Sequence, residues 1–156
     1  MKKQNIIKLI VSIIICQLAG IIGSFPTADS VGTWYLTLQK PFFTPPGWVF
    51  APAWITLYFL MGLALYFVWI KGYKKVKEAI SAFGIQLAMN ITWSFAFFGL
   101  KSPLLGMITI IVLWFSITTT MVKFRRISKN AFYLLVPYIL WVSFAAILNL
   151  SILILN

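Results

Sequence analysis

The stretch WITLYFLMGLALYFVWIKGYKKVKE, residues 54–78, decides the fold. Residues 54–70 carry no charge and run straight into Lys71, Lys74, Lys75 and Lys77. An apolar run of about 20 residues crosses the hydrocarbon core of a bilayer as a helix, which satisfies its own backbone polar groups there. Cations crowded beside one end of such a run mark the side that stays in the cytoplasm. Extended back to Gly47, the run predicts a helix over 47–70. Pro52 lies near its start, where neighbouring helices can satisfy the carbonyl that proline leaves free.

The same pattern repeats on both sides of this stretch. Downstream, apolar runs predict helices over about 79–100, 104–122 and 131–155, the last with Pro137 in its first half. Lys101, Ser102 and Pro103 form a tight turn, which makes the third and fourth spans antiparallel neighbours. Upstream, a run over about 6–25 is interrupted only by Lys8. No A-x-A site follows it, so it reads as a retained first helix rather than a cleaved signal peptide. Residues 26–46 form a Pro-rich loop made sticky by Trp34, Tyr35, Leu36 and Leu38, a candidate outer lid with a short helix at Trp34–Leu38. The fold class is therefore all-α: a polytopic membrane protein whose five-helix transmembrane bundle forms one domain over 1–156.

Charge follows the same division. With five spans, one side carries Lys2, Lys3, Lys8, Lys71, Lys74, Lys75, Lys77, Lys123, Arg125, Arg126 and Lys129, and the other carries only Lys40 and Lys101. This asymmetry predicts a multi-pass cell-membrane protein with a cytoplasmic N-terminus and an outside C-terminus. It also accounts for the net charge of +11 without nucleic acid as a partner. A 62% hydrophobic composition and a mean hydropathy of +0.97 exceed what a soluble domain of this size can bury. No histidine is present, and the acids are Asp29 and Glu78 alone. That set leaves no His-ligated metal, no His general base and little prospect of a carboxylate pair, so no metal or cofactor is expected. The single Cys16 excludes an internal disulfide.

The informative residues are aromatic rings and amides at membrane depth. At about 100° per residue, Gln86, Asn90, Trp93, Ser94 and Phe97 share one sector of the third span. Amides in hydrocarbon are costly without a partner or cavity, so this stripe should point inward. Gly84 and Ala88 fall in a different sector, a small-xxx-small pair suited to close helix packing, either within the bundle or as a homodimer seam. Trp54, Tyr58, Met61 and Leu65 share a face of the second span, and Trp141, Ala145 and Leu148 share a face of the fifth. Asn149 is a further amide at depth, read first as a hydrogen bond to a neighbouring helix. Together these features describe an inward cavity lined by indole, phenol and amide. A flat conjugated ligand suits it, such as a metal-free porphyrin or a haem held without His.

The run Trp34-Tyr35-x-x-Leu38-x-Lys40-Pro41, then Pro45-Pro46-x-Trp48-x-Phe50-x-Pro52, then Trp54-x-x-Leu57-Tyr58-x-x-Met61-Gly62 resembles the signature of the tryptophan-rich sensory protein/translocator protein (TspO/MBR) family, which includes the peripheral-type benzodiazepine receptor. Gln86-Leu87-x-x-Asn90-x-x-Trp93-Ser94 with Phe97-Phe98, and Trp141-x-x-Phe144-Ala145-x-x-Leu148-Asn149, extend the likeness over nearly the full chain. The resemblance implies a five-helix bundle, often a homodimer, that binds protoporphyrin IX and related tetrapyrroles and benzodiazepine-site ligands of the isoquinoline carboxamide type. By motif position, the ligand-binding residues would be Tyr35, Pro45, Trp54, Tyr58, Asn90, Trp93, Trp141, Ala145 and Leu148. Sterol binding is not expected, because the end of the fifth span lacks the family's Tyr followed by Lys or Arg.

The implied function is a membrane tetrapyrrole-binding protein with a sensing, transport or protective role. One alternative is a light-dependent porphyrin-degrading enzyme in which Trp54 and Trp141 are the redox-active, catalytic residues. A second is a small-molecule transporter or channel, although no inverted repeat or buried charge suggests ion coupling.

Overall fold

The computed structural model describes residues 3–156, and at 73–75 the backbone alone. Lys2 therefore lies outside the described residues, as do the side chains of Lys74 and Lys75. The helices are α1 (Lys3–Val31), α2 (Trp34–Thr37), α3 (Phe50–Trp69), α4 (Tyr73–Ser94), α5 (Pro103–Ile127), α6 (Lys129–Leu134) and α7 (Val136–Leu155). A 3₁₀ turn at Gly47–Val49 leads into α3, and a π turn at Phe95–Gly99 extends α4. Among the described residues, five helical segments are long and apolar enough to cross a membrane. The chain is a multi-pass membrane protein.

Spans consecutive in the chain run antiparallel, α1 and α4 run parallel, and contacts at both ends show it. At the basic end, the Lys8 ammonium donates to the Trp69 carbonyl at 3.3 Å. Lys8 thus leaves the apolar interior and caps the orphaned C-terminus of α3, where a cation also meets the negative end of the helix dipole. Lys123 at the end of α5 pairs with Glu78 near the start of α4 at 3.6 Å. At the other end, the Ser30 hydroxyl donates to the Phe98 carbonyl at 2.6 Å and Asn156 meets Gln39. Around the bundle the order is α1, α3, α6 with α7, α5, α4, and α4 returns to α1. The antiparallel α4–α5 pair expected from the Lys101–Pro103 turn is present. Ser102 caps α5 by accepting from the Leu105 amide at 3.2 Å, with Pro103 in the first turn.

Several element ends differ from the sequence expectation. Helix α1 does not stop near 25; it passes through Pro26 to Val31, so the outer loop begins at Gly32. Pro26 removes the helical donor to the Ile22 carbonyl; one residue on, the hydroxyls of Ser94 and Thr27 both donate to the Gly23 carbonyl, and the Ser94 bond holds this turn against α4. At the basic end, Lys123, Arg125 and Arg126 lie in the last turns of α5 rather than in a loop, where cations favour the helix C-terminus. Lys77 likewise belongs to α4, because Gly72 at φ 98° reverses the chain within a few residues. The fifth span is two segments, broken at Leu135, and Pro137 sits in the first turn of α7, where its missing N–H costs no helical bond.

Close packing fixes the relative depths of the helices. A Cβ on Gly62 would lie 2.7 Å from the Cα of Ile13, and one on Gly106 would lie 2.6 Å from the Phe97 ring. Two apolar clusters result. The larger runs through all five segments around Met61, Phe83, Leu113, Phe124 and Tyr138. The smaller gathers Phe97, Leu148 and Ile152 directly beneath the loop.

Candidate functional site

Asn90 anchors the site. It is 2% exposed, and both ends of its amide are used. The Tyr58 hydroxyl donates to its Oδ1, and its Nδ2 donates to the Tyr138 hydroxyl at 3.0 Å. These bonds tie α3, α4 and α7 together at one depth. Each is worth about 1 kcal/mol net, and stranding either phenol would cost about 1–3 kcal/mol. One turn deeper, Gln86 is equally buried, with Nε2 3.9 Å from the Met61 sulfur and no partner for Oε1 among the described residues.

Above Asn90 the rings form a continuous ladder. Trp54 lies 5.7 Å from Tyr58, 6.5 Å from Tyr138 and 6.1 Å from Trp93, centroid to centroid. Trp93 stacks on Phe97 at 6.0 Å, and its indole N–H donates to Asn149 at 3.4 Å. Phe97 meets Trp34 at 5.6 Å and Tyr35 at 6.3 Å, which brings the ladder up to the loop. The π turn carries Phe97 and Phe98, and such turns recur at functional sites. Asn149 is committed to neighbouring helices, since its Nδ2 also donates to the Pro103 carbonyl at 2.8 Å.

Trp141 stands on a parallel branch. It pairs with Phe50 at 6.0 Å and Phe144 at 5.8 Å, and Phe144 meets Phe43 of the loop. Phe50 lies one turn above Trp54 on α3, and Trp141 lies one turn above Tyr138 on α7. Trp141 therefore lines the same wall as Trp54, one layer nearer the loop, rather than forming a pair with it. Leu148 is buried in the cluster beneath the loop, Ala145 is half-buried on α7, and Pro45 is half-buried within the loop. Tyr138, Phe97 and Phe50 are central to the geometry but absent from the sequence-derived site. Their spacing was visible, since Tyr138 precedes Trp141 by three residues and Phe50 precedes Trp54 by four.

One side-chain pair ties the loop to the end of α7, and a cation–ring contact holds the loop to itself. Asn156 accepts from the Gln39 amide at 2.9 Å and donates to the Gln39 carbonyl at 3.0 Å. The Lys40 ammonium lies 4.8 Å from the centre of the Tyr35 ring. Burial pushes the Tyr35 phenol above its ordinary value.

Where a hollow was expected, the rings touch one another, with Trp34, Tyr35, Trp54, Trp93 and Trp141 each half-buried. Two open grooves of about 310 Å³ each lie on the outer face of α4 and α5. Among the described residues no group of His, Cys, Asp or Glu gathers that would hold a metal ion. The arrangement offers stacking faces, neutral hydrogen-bonding groups and indoles, with no acid–base pair. Gly84 and Ala88 face outward, and a Cβ on Gly84 would meet nothing within 4 Å. Packing within the bundle, one of the two roles open to that pair, is thereby removed.

Residues 12–155 match the family model described as the TspO/MBR family. The chain is 47% identical to the tryptophan-rich protein TspO of Archaeoglobus fulgidus, covering 98% of this chain and 99% of that one. The protein of the same name from Chlorobaculum tepidum is 46% identical over 100% of this chain and 99% of its own. The translocator protein of Bos taurus is 35% identical over 85% of this chain and 80% of its own.

Proposed function

The chain belongs to the TspO/MBR family, and from that premise we propose that it binds a tetrapyrrole, protoporphyrin IX or a close relative, beneath its outer loop. The observation that carries this reading is the unbroken ladder from Trp34 and Tyr35 to Asn90. A flat conjugated ring gains from aromatic faces on several sides, and a few fixed polar groups orient it. Tyr35, Pro45, Trp54, Trp93, Trp141, Ala145 and Leu148 supply walls, and Asn90 with Tyr58 supplies the polar floor. Because the rings are packed together, entry requires the loop to lift and the ladder to open around the ligand. Benzodiazepine-site ligands of the isoquinoline carboxamide type fit the same walls. The positive charge at one end supports a cytoplasmic N-terminus and an outer loop. The outward Gly84–Ala88 pair supports a homodimer through α4.

Titration of the detergent-solubilised protein with protoporphyrin IX tests the reading. Saturable quenching of indole emission with a shifted Soret band is expected; linear, unsaturable quenching equal to that of free tryptophan would reject it.

A second reading has its own support. Trp54 lies within ring contact of both Trp93 and Tyr58, so an electron lost from Trp54 to a light-excited porphyrin has neighbours to share the hole. Light-driven breakdown of bound porphyrin, with dioxygen as oxidant, would then centre on Trp54, with Trp141 one layer removed. Illumination in air of wild type and Trp54→Phe, each saturated with porphyrin, separates the readings, since a binder alone bleaches bound porphyrin at the same rate in both.

A further inference from the structure

The open space in this molecule lies away from the aromatic ladder. One groove runs between α4 and α5, walled by Ala82, Ile85, Val112, Phe115, Ser116 and Thr119. A second begins at the same Thr119 and continues past Val122 to Lys123 and Arg126. From Phe115 to Arg126 the joined path follows about 16 Å of helix rise toward the basic end.

Its wall is apolar in effect. Ser116 donates its hydroxyl to the Val112 carbonyl at 2.8 Å, and Thr119 donates to the Phe115 carbonyl at 2.9 Å. Both hydroxyls are spent on their own helix, which leaves carbon facing the groove. Ile85 and Phe115 are 60% and 62% exposed beside them.

Its end is cationic. Lys77 and Glu78 on α4, Lys123, Arg125 and Arg126 on α5 and Lys129 on α6 are the charged groups gathered there. Glu78 pairs with Lys123, and the Arg125 guanidinium lies 5.4 Å from the Phe132 ring centre. Arg126 is exposed and has no carboxylate in ion-pair range among the described residues.

We propose that the α4–α5 groove holds one anionic phospholipid, with an acyl chain along Ile85, Val112 and Phe115 and its phosphate at Arg126 and Lys123. Basic clusters at the cytoplasmic-type ends of membrane helices favour anionic headgroups, and a shallow apolar groove ending at such a cluster matches the two parts of a lipid.

Native mass spectrometry of the delipidated full chain, mixed with phosphatidylglycerol or phosphatidylcholine of identical acyl chains, tests this. One phosphatidylglycerol adduct should survive activation that strips phosphatidylcholine. Arg126→Gln and Lys123→Gln should each lower its retention about fivefold, while Arg125→Gln leaves it unchanged. Val112→Phe, which fills part of the groove, should reduce retention of both lipids. Equal retention of the two lipids, or full retention in the Arg126→Gln/Lys123→Gln double variant, overturns the proposal. So does an adduct lost on dimerisation whatever the headgroup, because the groove would then belong to a second copy. The charge variants sit at the solvent-facing end and leave the bundle core untouched.

Discussion

Helix α4 borders both the aromatic ladder beneath the loop and the groove it shares with α5, and the two regions are filled in opposite ways. The ladder is dense: Asn90, Tyr58 and Tyr138 saturate one another, and Trp54, Trp93 and Phe97 lie ring against ring. The groove is open, its hydroxyls turned back onto their own helix and its large side chains exposed. Richness in rings and amides therefore marks where a ligand gains contacts, not where empty volume stands. A ligand entering the ladder displaces protein from protein, and its affinity is reduced by the free energy of opening. A ligand in the groove displaces only lipid.

The largest expected effect breaks the floor of the ladder. Asn90→Leu strands two buried phenols and should cost about 3 kcal/mol in thermal unfolding in detergent. Thr119→Val in the groove should stay within about 0.5 kcal/mol of wild type. Equal stabilities for the two variants would erase the distinction between the regions. Next comes a pair of glycines. Gly106→Ala drives a Cβ to 2.6 Å from the Phe97 ring and 2.8 Å from the Asn149 oxygen. It should destabilise by about 2 kcal/mol. Gly84→Ala, with nothing within 4 Å, should stabilise the monomer by about 0.5 kcal/mol. The same melts read both.

Two smaller effects concern the loop. Asn156→Ala removes both bonds to Gln39, and amide exchange over residues 32–46 should rise about fivefold while exchange along α5 is unchanged. The smallest effect is alkaline. The Tyr35 phenol is neutral in the docked loop, with its value raised above the unfolded one. Its contribution is complete below the unfolded value of about 10 and is lost as pH rises through the folded value. Loop exchange beyond the intrinsic base-catalysed rise should increase above that pH in wild type and not in Tyr35→Phe.

Much of the architecture was legible in the residues because its causes are local. Charge-free runs between basic clusters define spans, and in the inward sector Gln86, Asn90, Ser94 and Phe97 are buried and Trp93 half-buried, as amides in hydrocarbon require. The ends were less legible. Pro26 reads as a stop, yet its helix continues to Val31, held against α4 by the Ser94 and Ser30 hydroxyls rather than by the local sequence. Lys123, Arg125 and Arg126 read as a loop because their helix extends past the apolar run. Within the candidate site, the convergence of Trp54, Tyr58, Asn90 and Trp93 follows from helical spacing. The contact of Phe97 with Trp34 and Tyr35 does not, since it depends on how far the loop descends and on the widened turn at Phe95–Gly99. The groove was invisible for the same reason: it belongs to two helices, and neither alone carries a signal for it.

The central claim is that the packed ladder, not the open groove, is the tetrapyrrole site. Protoporphyrin IX affinity, measured side by side in wild type, Trp54→Phe and Phe115→Ala, tests it most directly. The account predicts roughly tenfold weaker binding in Trp54→Phe, the loss of about 1.4 kcal/mol of stacking, and no change in Phe115→Ala. Unchanged binding in Trp54→Phe with weakened binding in Phe115→Ala would place the ligand in the groove and contradict it.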